Sequence, residues 1–234
     1  MKTKRCLFHD DLTLEIGRVT WLIAVLQRLL AVGPSVVRLN VRWPTSQKRG
    51  TAFRIADDLL LTNWHVMHDG LTPAASVVAD VGFEDDGNGG QKAPTSIPCD
   101  VTTIRGNEAD DWAVIGVATP LDAAIPIIKL SEAATPMIAA PAFIVQHPLG
   151  ESKRIAFVRN QVTDFDDRVV HYLSDTQSGS SGSPVFDEKC KLIALHHVGG
   201  RPLEVAGKPP LRKNEGIRIS RITAGLMSLG LMVQ

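Results

Sequence analysis

The stretch "SDTQSGSSGSPVF", residues 174–186, puts four serines and two glycines into the six residues Ser178 to Ser183, then turns at once into apolar sequence. A flexible linker would not lead directly into a strand such as "PVF". Gly179 to Pro184 has the form G-x-S-G-x-P. In acyl transfer a serine nucleophile needs an exposed Oγ and backbone N–H groups converging on one point. Glycines let the backbone turn tightly enough to present them. This reading makes Gly179 N–H and Ser181 N–H the donors of an oxyanion hole. Ser/Gly turns are common, so the motif alone also fits a plain turn.

A nucleophilic serine needs a base, and the base needs an orienting acid. Seven histidines are available: His9, His65, His68, His147, His171, His196 and His197. His65 closes the apolar run "LLLTNWHV", read as a strand, where a side chain can be held at a barrel rim. A structural histidine would fit there too. His68 is expected in an exposed loop. "ADDWAVIGV" places Asp111 just before a buried strand, where it can be half-buried against an imidazole.

Outward from these segments, short apolar runs are separated by Gly, Pro, Asp and Asn, the pattern of antiparallel barrels. "TPLDAAIPIIKLSEAATP" (119–136) reads as a crossing connection. The expected fold is all-β: two antiparallel six-stranded β-barrels with an N-terminal and a C-terminal helix. The expected division is 1–34 for a helical segment, 35–125 for the first barrel, and 126–234 for the second barrel with its helix. Ile219, Ile222, Leu226 and Leu229 give the closing helix its spacing, with Ser220 as N-cap.

"GTAFRIADDLLLTNWHV", "DDWAVIGV" and "DTQSGSSGSPVF" occur in that order. This resembles the chymotrypsin-like (trypsin-like) serine peptidases, whose triad runs His, Asp, Ser along two barrels. The likeness covers roughly Val36 to Leu231. It implies His65 as base, Asp111 as acid and Ser181 as nucleophile. Strand alternation points Asp110 the other way. "GSSGSPVF", the "ALHH" run and "IVQHPLG" (144–150) resemble the bacterial glutamyl-endopeptidase-like and HtrA-like branch. Two departures stand out. Ser180 replaces the aspartate that trypsins use in zymogen activation. His197 stands where many relatives have a serine supporting the triad acid.

The implied activity is that of a serine endopeptidase working through an acyl-enzyme, without metal or organic cofactor, on protein or peptide substrates. The alternative is a non-catalytic protease-fold module that binds peptides or acts as an adaptor. A missing triad member would mark it, and none is missing. Specificity cues conflict. Asp175 falls where trypsins place the carboxylate of the primary pocket, whereas Thr176 and His196 fall where glutamyl endopeptidases hold a substrate carboxylate. Gly199 belongs to the same wall. The reading adopted puts His196 at the back of the pocket and turns Asp175 away, so no strict trypsin specificity follows.

The chain has 234 residues, 44% hydrophobic and 21% charged, with 25 basic against 25 acidic side chains. That balance gives no electrostatic footprint for nucleic acid or an anionic membrane. Cys6, Cys99 and Cys190 lack metal-site spacing and form no disulfide framework, which favours a reducing, cytoplasmic setting. Asp10, Asp11, Glu15 and Arg18 lie between the basic start and "VTWLIAVL", against a signal peptide. Gln27 and Arg28 break that run far short of a membrane span. Leu12, Ile16, Val19, Ile23, Leu26 and Leu30 share one helical face, predicting an amphipathic helix over 10–31. It is expected to pack on the body of the protein or on a regulatory protein partner.

Overall fold

The computed structural model describes residues 19–231 except 159 and 204–210. Helix α1 (Val19–Val32) enters a short 3-10 turn at Gly33–Ser35 and then the first sheet. That sheet comprises β1 (Val36–Arg42), β2 (Gln47–Arg54), β3 (Leu59–Thr62), β6 (Ser76–Val81), β7 (Thr95–Asn107) and β8 (Trp112–Val117). A helical turn, α2 (Trp64–Met67), and a small ladder of β4 (His68–Asp69) with β5 (Thr72–Pro73) lie between β3 and β6. The six strands close into a barrel in the order β1-β2-β3-β8-β7-β6.

The second unit holds β9 (Phe143–Gln146), β10 (Arg154–Ala156), β11 (Val162–Phe165), β12 (Val169–Tyr172), β13 (Pro184–Phe186), β14 (Leu192–Leu203) and β15 (Leu211–Arg218). Helix α3 (Ile219–Ser228) follows. Here the structure departs in detail from a closed six-stranded barrel. The sheet has seven strands in the order β10-β9-β13-β14-β15-β12-β11 and makes a half-barrel. An isolated bridge between Pro141, just before β9, and Gln161, just before β11, links the two sides of the sheet in place of a continuous ladder. The extra strand, β10, is three residues long and pairs only with β9 among the described strands.

Three cores explain why so many strands read as continuous apolar runs. In β8, Ala113, Ile115 and Val117 fill the first barrel with Val37, Leu39 and Leu60. Trp112 and Val114, on the other face of the same strand, join a central core between the two sheets. Phe143, Val145, Phe186 and Leu195 enter that core from the second sheet, while Ile144, Val170, Tyr172 and Val185 form its inner core. Strand alternation thus sends one strand to two cores.

Both helices close the central core. From α3, Ile219, Ile222 and Leu226 are buried, as the sequence pattern predicts, whereas Leu229 lies past the helix end and is 46% exposed. The N-cap position is Arg218 and not Ser220, and it makes no side-chain cap. Helix α1 docks on the body, but on a different face from the one predicted. Val25 and Leu29 are fully buried, with Leu22 and Val32 packed beside them. Ile23 and Leu30 point outward, 55% and 67% exposed. The segment "VTWLIAVL" is apolar on more than one side, so periodicity selects no unique face. Residues 10–18 of the predicted helix lie outside the described residues. No helix among those described is long and apolar enough to cross a membrane.

Candidate active site

His65 is carried by α2, one turn past the end of β3, so the predicted strand "LLLTNWHV" bends into a helix at the barrel rim. Asp111 ends a turn before β8 and holds the left-handed conformation (φ 45). Aspartate tolerates that region better than most residues. The turn aims both carboxylate oxygens at His65. Oδ2 lies 2.7 Å from His65 Nδ1, and Oδ1 accepts the His65 backbone N–H at 2.9 Å. Asn63 Nδ2 donates to the Asp111 carbonyl at 2.8 Å and locks the turn. Asp110 faces away and pairs with Arg221 and Arg168. With Nδ1 donating to the carboxylate, His65 keeps Nε2 as a free base.

Ser181 sits in the Ser/Gly loop between β12 and β13. Two glycines there are required by geometry. Gly179 has φ +95, and a Cβ on it would approach His147 O and Gly150 N at 2.8 Å. Gly182 has φ +89, and its Cβ would meet Thr51 O at 2.0 Å. Buried Thr51 ties the loop to the first barrel. Its N–H donates to Ser181 O and its Oγ1 to Gly179 O, each at 2.9 Å. The carbonyl of Ser178 accepts from Leu149 N–H, so it is turned away from the cleft. Gly179 N–H and Ser181 N–H donate to no acceptor among the described residues. Ser181 Oγ donates to the His197 carbonyl at 3.4 Å.

Behind Asp111 lies a set of side chains that the sequence reading did not assemble. His197 is the extra residue of a β-bulge, because His196 opposes Gly216 while Val198 opposes Glu215. A bulge re-aims its side chain, and His197 Nδ1 reaches Asp111 Oδ2 at 2.8 Å. Its Nε2 lies 2.9 Å from Glu215 Oε1. Glu215 Oε2 lies 2.7 Å from Nε2 of His171, its partner across the β12–β15 ladder. Burial would raise the Asp111 pKa, but hydrogen bonds from His197 and His65 outweigh it and bring it to about 2. For His197, burial opposes the charge, and the bonds to Asp111 and Glu215 prevail and raise its pKa. The ligand atoms of His65, Asp111 and His197 lie within 4.8 Å of one another, the one potential metal-binding trio among the described residues. Hydrogen bonds already join all three.

Thr176, His196, His197 and Gly199 line a cleft of about 740 Å³ together with Ser181, His65 and Asp111. His68 lines it too, half-buried and stacked on Trp64 with ring centroids 3.5 Å apart, not loose in a loop. His196 is 2% exposed and takes the Tyr172 hydroxyl at Nδ1, 2.7 Å away. Burial, then the nearby charges of His197 and His65, push its pKa down to about 3, so it is neutral at neutral pH. Thr176 Oγ1 donates to Asn214 Oδ1 at 2.8 Å. A side chain at Gly199 would strike that Thr176 hydroxyl at 2.6 Å. Asp175 is placed elsewhere: it is exposed and lines a neighbouring groove with Gln146 and Arg154. Tyr172 and Asn214 were not anticipated, because both depend on how β12 and β15 are paired.

Residues 50–195 match the family model of the trypsin-like peptidase domain. An uncharacterized protein of Sinorhizobium fredii is 31% identical over 245 residues, covering 86% of this chain and 37% of that protein. A secreted RxLR effector protein of Plasmopara viticola is 33% identical over 112 residues, covering 43% of this chain and 27% of that protein. The chain therefore spans well under half the length of either curated relative. Among solved structures, an active-form protease of M. tuberculosis superposes with a TM-score of 0.65 at 18% identity, covering 88% of this chain and 85% of that one. A Glu endopeptidase in complex with MPD gives 0.62 at 18%, covering 86% and 92%. A serine endoprotease of Yersinia pestis gives 0.63 at 14%, covering 88% and 66%. At these identities the structures show the fold, and it is chymotrypsin-like. With its family model matched across both sheets, the chain belongs to the trypsin-like peptidase domain family.

Proposed function

We propose that the protein is a serine endopeptidase that cleaves peptide bonds by acyl transfer, with Ser181 as nucleophile, His65 as general base and Asp111 as orienting acid. One observation carries this reading. Asp111 holds His65 by two bonds, Nδ1 to Oδ2 at 2.7 Å and N–H to Oδ1 at 2.9 Å, which leaves Nε2 without a hydrogen-bond partner among the described residues, in a cleft that Ser181 also lines.

The chemistry follows from these groups. The long bond from Ser181 Oγ to His197 O is readily given up, and rotation about Cα–Cβ turns the hydroxyl toward His65. Oγ attacks the peptide carbonyl carbon as its proton passes to His65 Nε2. The oxyanion settles between Gly179 N–H and Ser181 N–H, where one such donor is worth about 3 kcal/mol of barrier. Asp111 stabilises the imidazolium. Collapse breaks the C–N bond, and the leaving amine takes the proton from Nε2. Water then attacks the ester with His65 again as base, releasing the acid and restoring Ser181. No step calls on a metal or organic cofactor.

The pocket supports a polar, uncharged selection. Burial raises the Tyr172 pKa, so the phenol keeps its proton and donates it to His196 Nδ1. His196 Nε2–H is then the donor offered to substrate. Such a wall suits a side chain that accepts a hydrogen bond and gives Arg or Lys no carboxylate. A reducing, cytoplasmic setting is part of the proposal, supported by the free thiols of Cys99 and Cys190. Ser181→Ala should abolish hydrolysis of peptide and unfolded-protein substrates while the unfolding midpoint stays near wild type. Hydrolysis retained in that variant refutes the reading.

A further inference from the structure

We propose that His197, clamped as an imidazolium between Asp111 and Glu215, is a positioning residue that holds the carboxylate orienting His65. This rests on the peptidase reading above and extends it to two residues, His197 and Glu215. Each ring nitrogen of His197 faces a carboxylate oxygen within hydrogen-bond distance, Asp111 Oδ2 at 2.8 Å and Glu215 Oε1 at 2.9 Å. A neutral imidazole has one N–H and one lone pair. Its lone pair would then face a carboxylate. The imidazolium donates to both oxygens and removes that conflict.

The surroundings keep Glu215 committed. Lys213 Nζ lies 3.0 Å from His171 Nδ1 and donates to it, so His171 Nε2 carries the N–H that points at Glu215 Oε2. Glu215 thus receives at least one donor on each oxygen and is 8% exposed. The groups facing His197 come from several elements. Asp111 precedes β8, His65 lies on α2, His196 is its neighbour on β14, and Glu215 belongs to β15. His171 on β12, Lys213 on β15 and Asp164 on β11, 3.8 Å from His171, stand behind Glu215. Lys48 on β2 is drawn by the charge of Asp111 and donates to His65 O.

Asp111 Oδ2 is shared by His65 and His197, at 2.7 and 2.8 Å, and the facing atoms of the three side chains lie within 4.8 Å of one another. A charged donor on this oxygen makes the stronger hydrogen bond and fixes the carboxylate that orients His65. Serine at position 197 still offers a hydroxyl to Asp111 but no charge. Glutamine at 215 keeps a hydrogen bond to His197 but removes the carboxylate that demands the second proton.

Two measurements test this. First, 15N spectra of histidine-labelled Ser181→Ala protein at about pH 7 should show both ring nitrogens of His197 protonated, assigned by their loss in His197→Ser. Glu215→Gln should convert them to a neutral pattern. Second, kcat on a peptide substrate should fall at least about tenfold in both His197→Ser and Glu215→Gln while KM stays within about twofold of wild type. A neutral His197 in the spectra overturns the inference, as does a kcat unchanged in both variants. The spectra need no activity, so they decide it even where the peptidase reading fails. Glu215→Gln keeps the test available should His197→Ser fail to fold.

Discussion

Thr51→Val isolates the link between the first barrel and the nucleophile loop. The two side chains have nearly the same shape, so the exchange removes a hydroxyl and little volume. Thr51 is fully buried. Its Oγ1 donates to Gly179 O at 2.9 Å and accepts His147 N–H at 3.1 Å. In the valine variant both backbone groups lose their partner in a dry site, at about 1–2 kcal/mol each. The predicted loss is about 3 kcal/mol of unfolding free energy. Thr51→Ser keeps both bonds, loses one methyl group, and should cost about 1 kcal/mol. Freeing the Gly179 carbonyl unpins the segment between the two oxyanion donors, Gly179 N–H and Ser181 N–H, so the acylation rate should fall at least about tenfold. Urea unfolding measures the first effect and the rate of labelling by a fluorophosphonate the second. A valine variant within about 0.5 kcal/mol of wild type, labelled at the wild-type rate, refutes the clamp.

Three further predictions follow from burial and charge. His196 and His147 are held neutral by burial, with pKa values near about 3 and about 4, below the unfolded value. Their contribution is present above about pH 6.5 and is lost as pH falls, about 3 kcal/mol each by pH 4, so denaturant midpoints should drop across that window. Asp111, held at about 2, loses its share only at lower pH. In α1, Leu29→Ala should cost about 2–4 kcal/mol, whereas exposed Leu30→Ala should stay within about 0.5 kcal/mol; denaturation curves compare them directly. Asp175→Asn should leave the preference at the residue before the scissile bond unchanged, and His196→Ala should alter it. A preference for Arg and Lys that Asp175→Asn abolishes would reverse that assignment.

The residues the structure gathers at one cleft were readable because their segments, taken in order, resemble the trypsin-like peptidases, and each adds a local signal that alone would leave the matter open. Ser181 lies among glycines whose φ angles only glycine adopts without strain, and His65 and Asp111 flank buried strands. The choice of Asp111 over Asp110 came from the apolar pattern that follows it, with strand alternation in support; in the structure Asp111 lies in the turn before β8, and Asp110 pairs instead with Arg221. What stayed hidden depends on distant pairing. His197 meets Asp111 only because a bulge in β14 shifts it, and Glu215 meets His171 only through the β12–β15 register. A Glu inside the strand-like run "NEGIRIS" was the available hint. The docked face of α1 was misplaced because an all-round apolar helix has no unique stripe. For Asp175, position along the chain and the rival cue of His196 conflicted, and the choice to turn it away rested on no local signal; the structure puts it, exposed, in the neighbouring groove.

The central claim is that Ser181 is an activated nucleophile, and a mapped covalent adduct tests it most directly. Wild-type protein treated with a fluorophosphonate, digested and sequenced by mass spectrometry should carry one adduct, on Ser181. The adduct should be absent from Ser181→Ala and strongly slowed in His65→Ala. Ser178→Ala, Ser180→Ala and Ser183→Ala should each still label at Ser181. An adduct on another serine, or undiminished labelling of Ser181→Ala, would contradict the account.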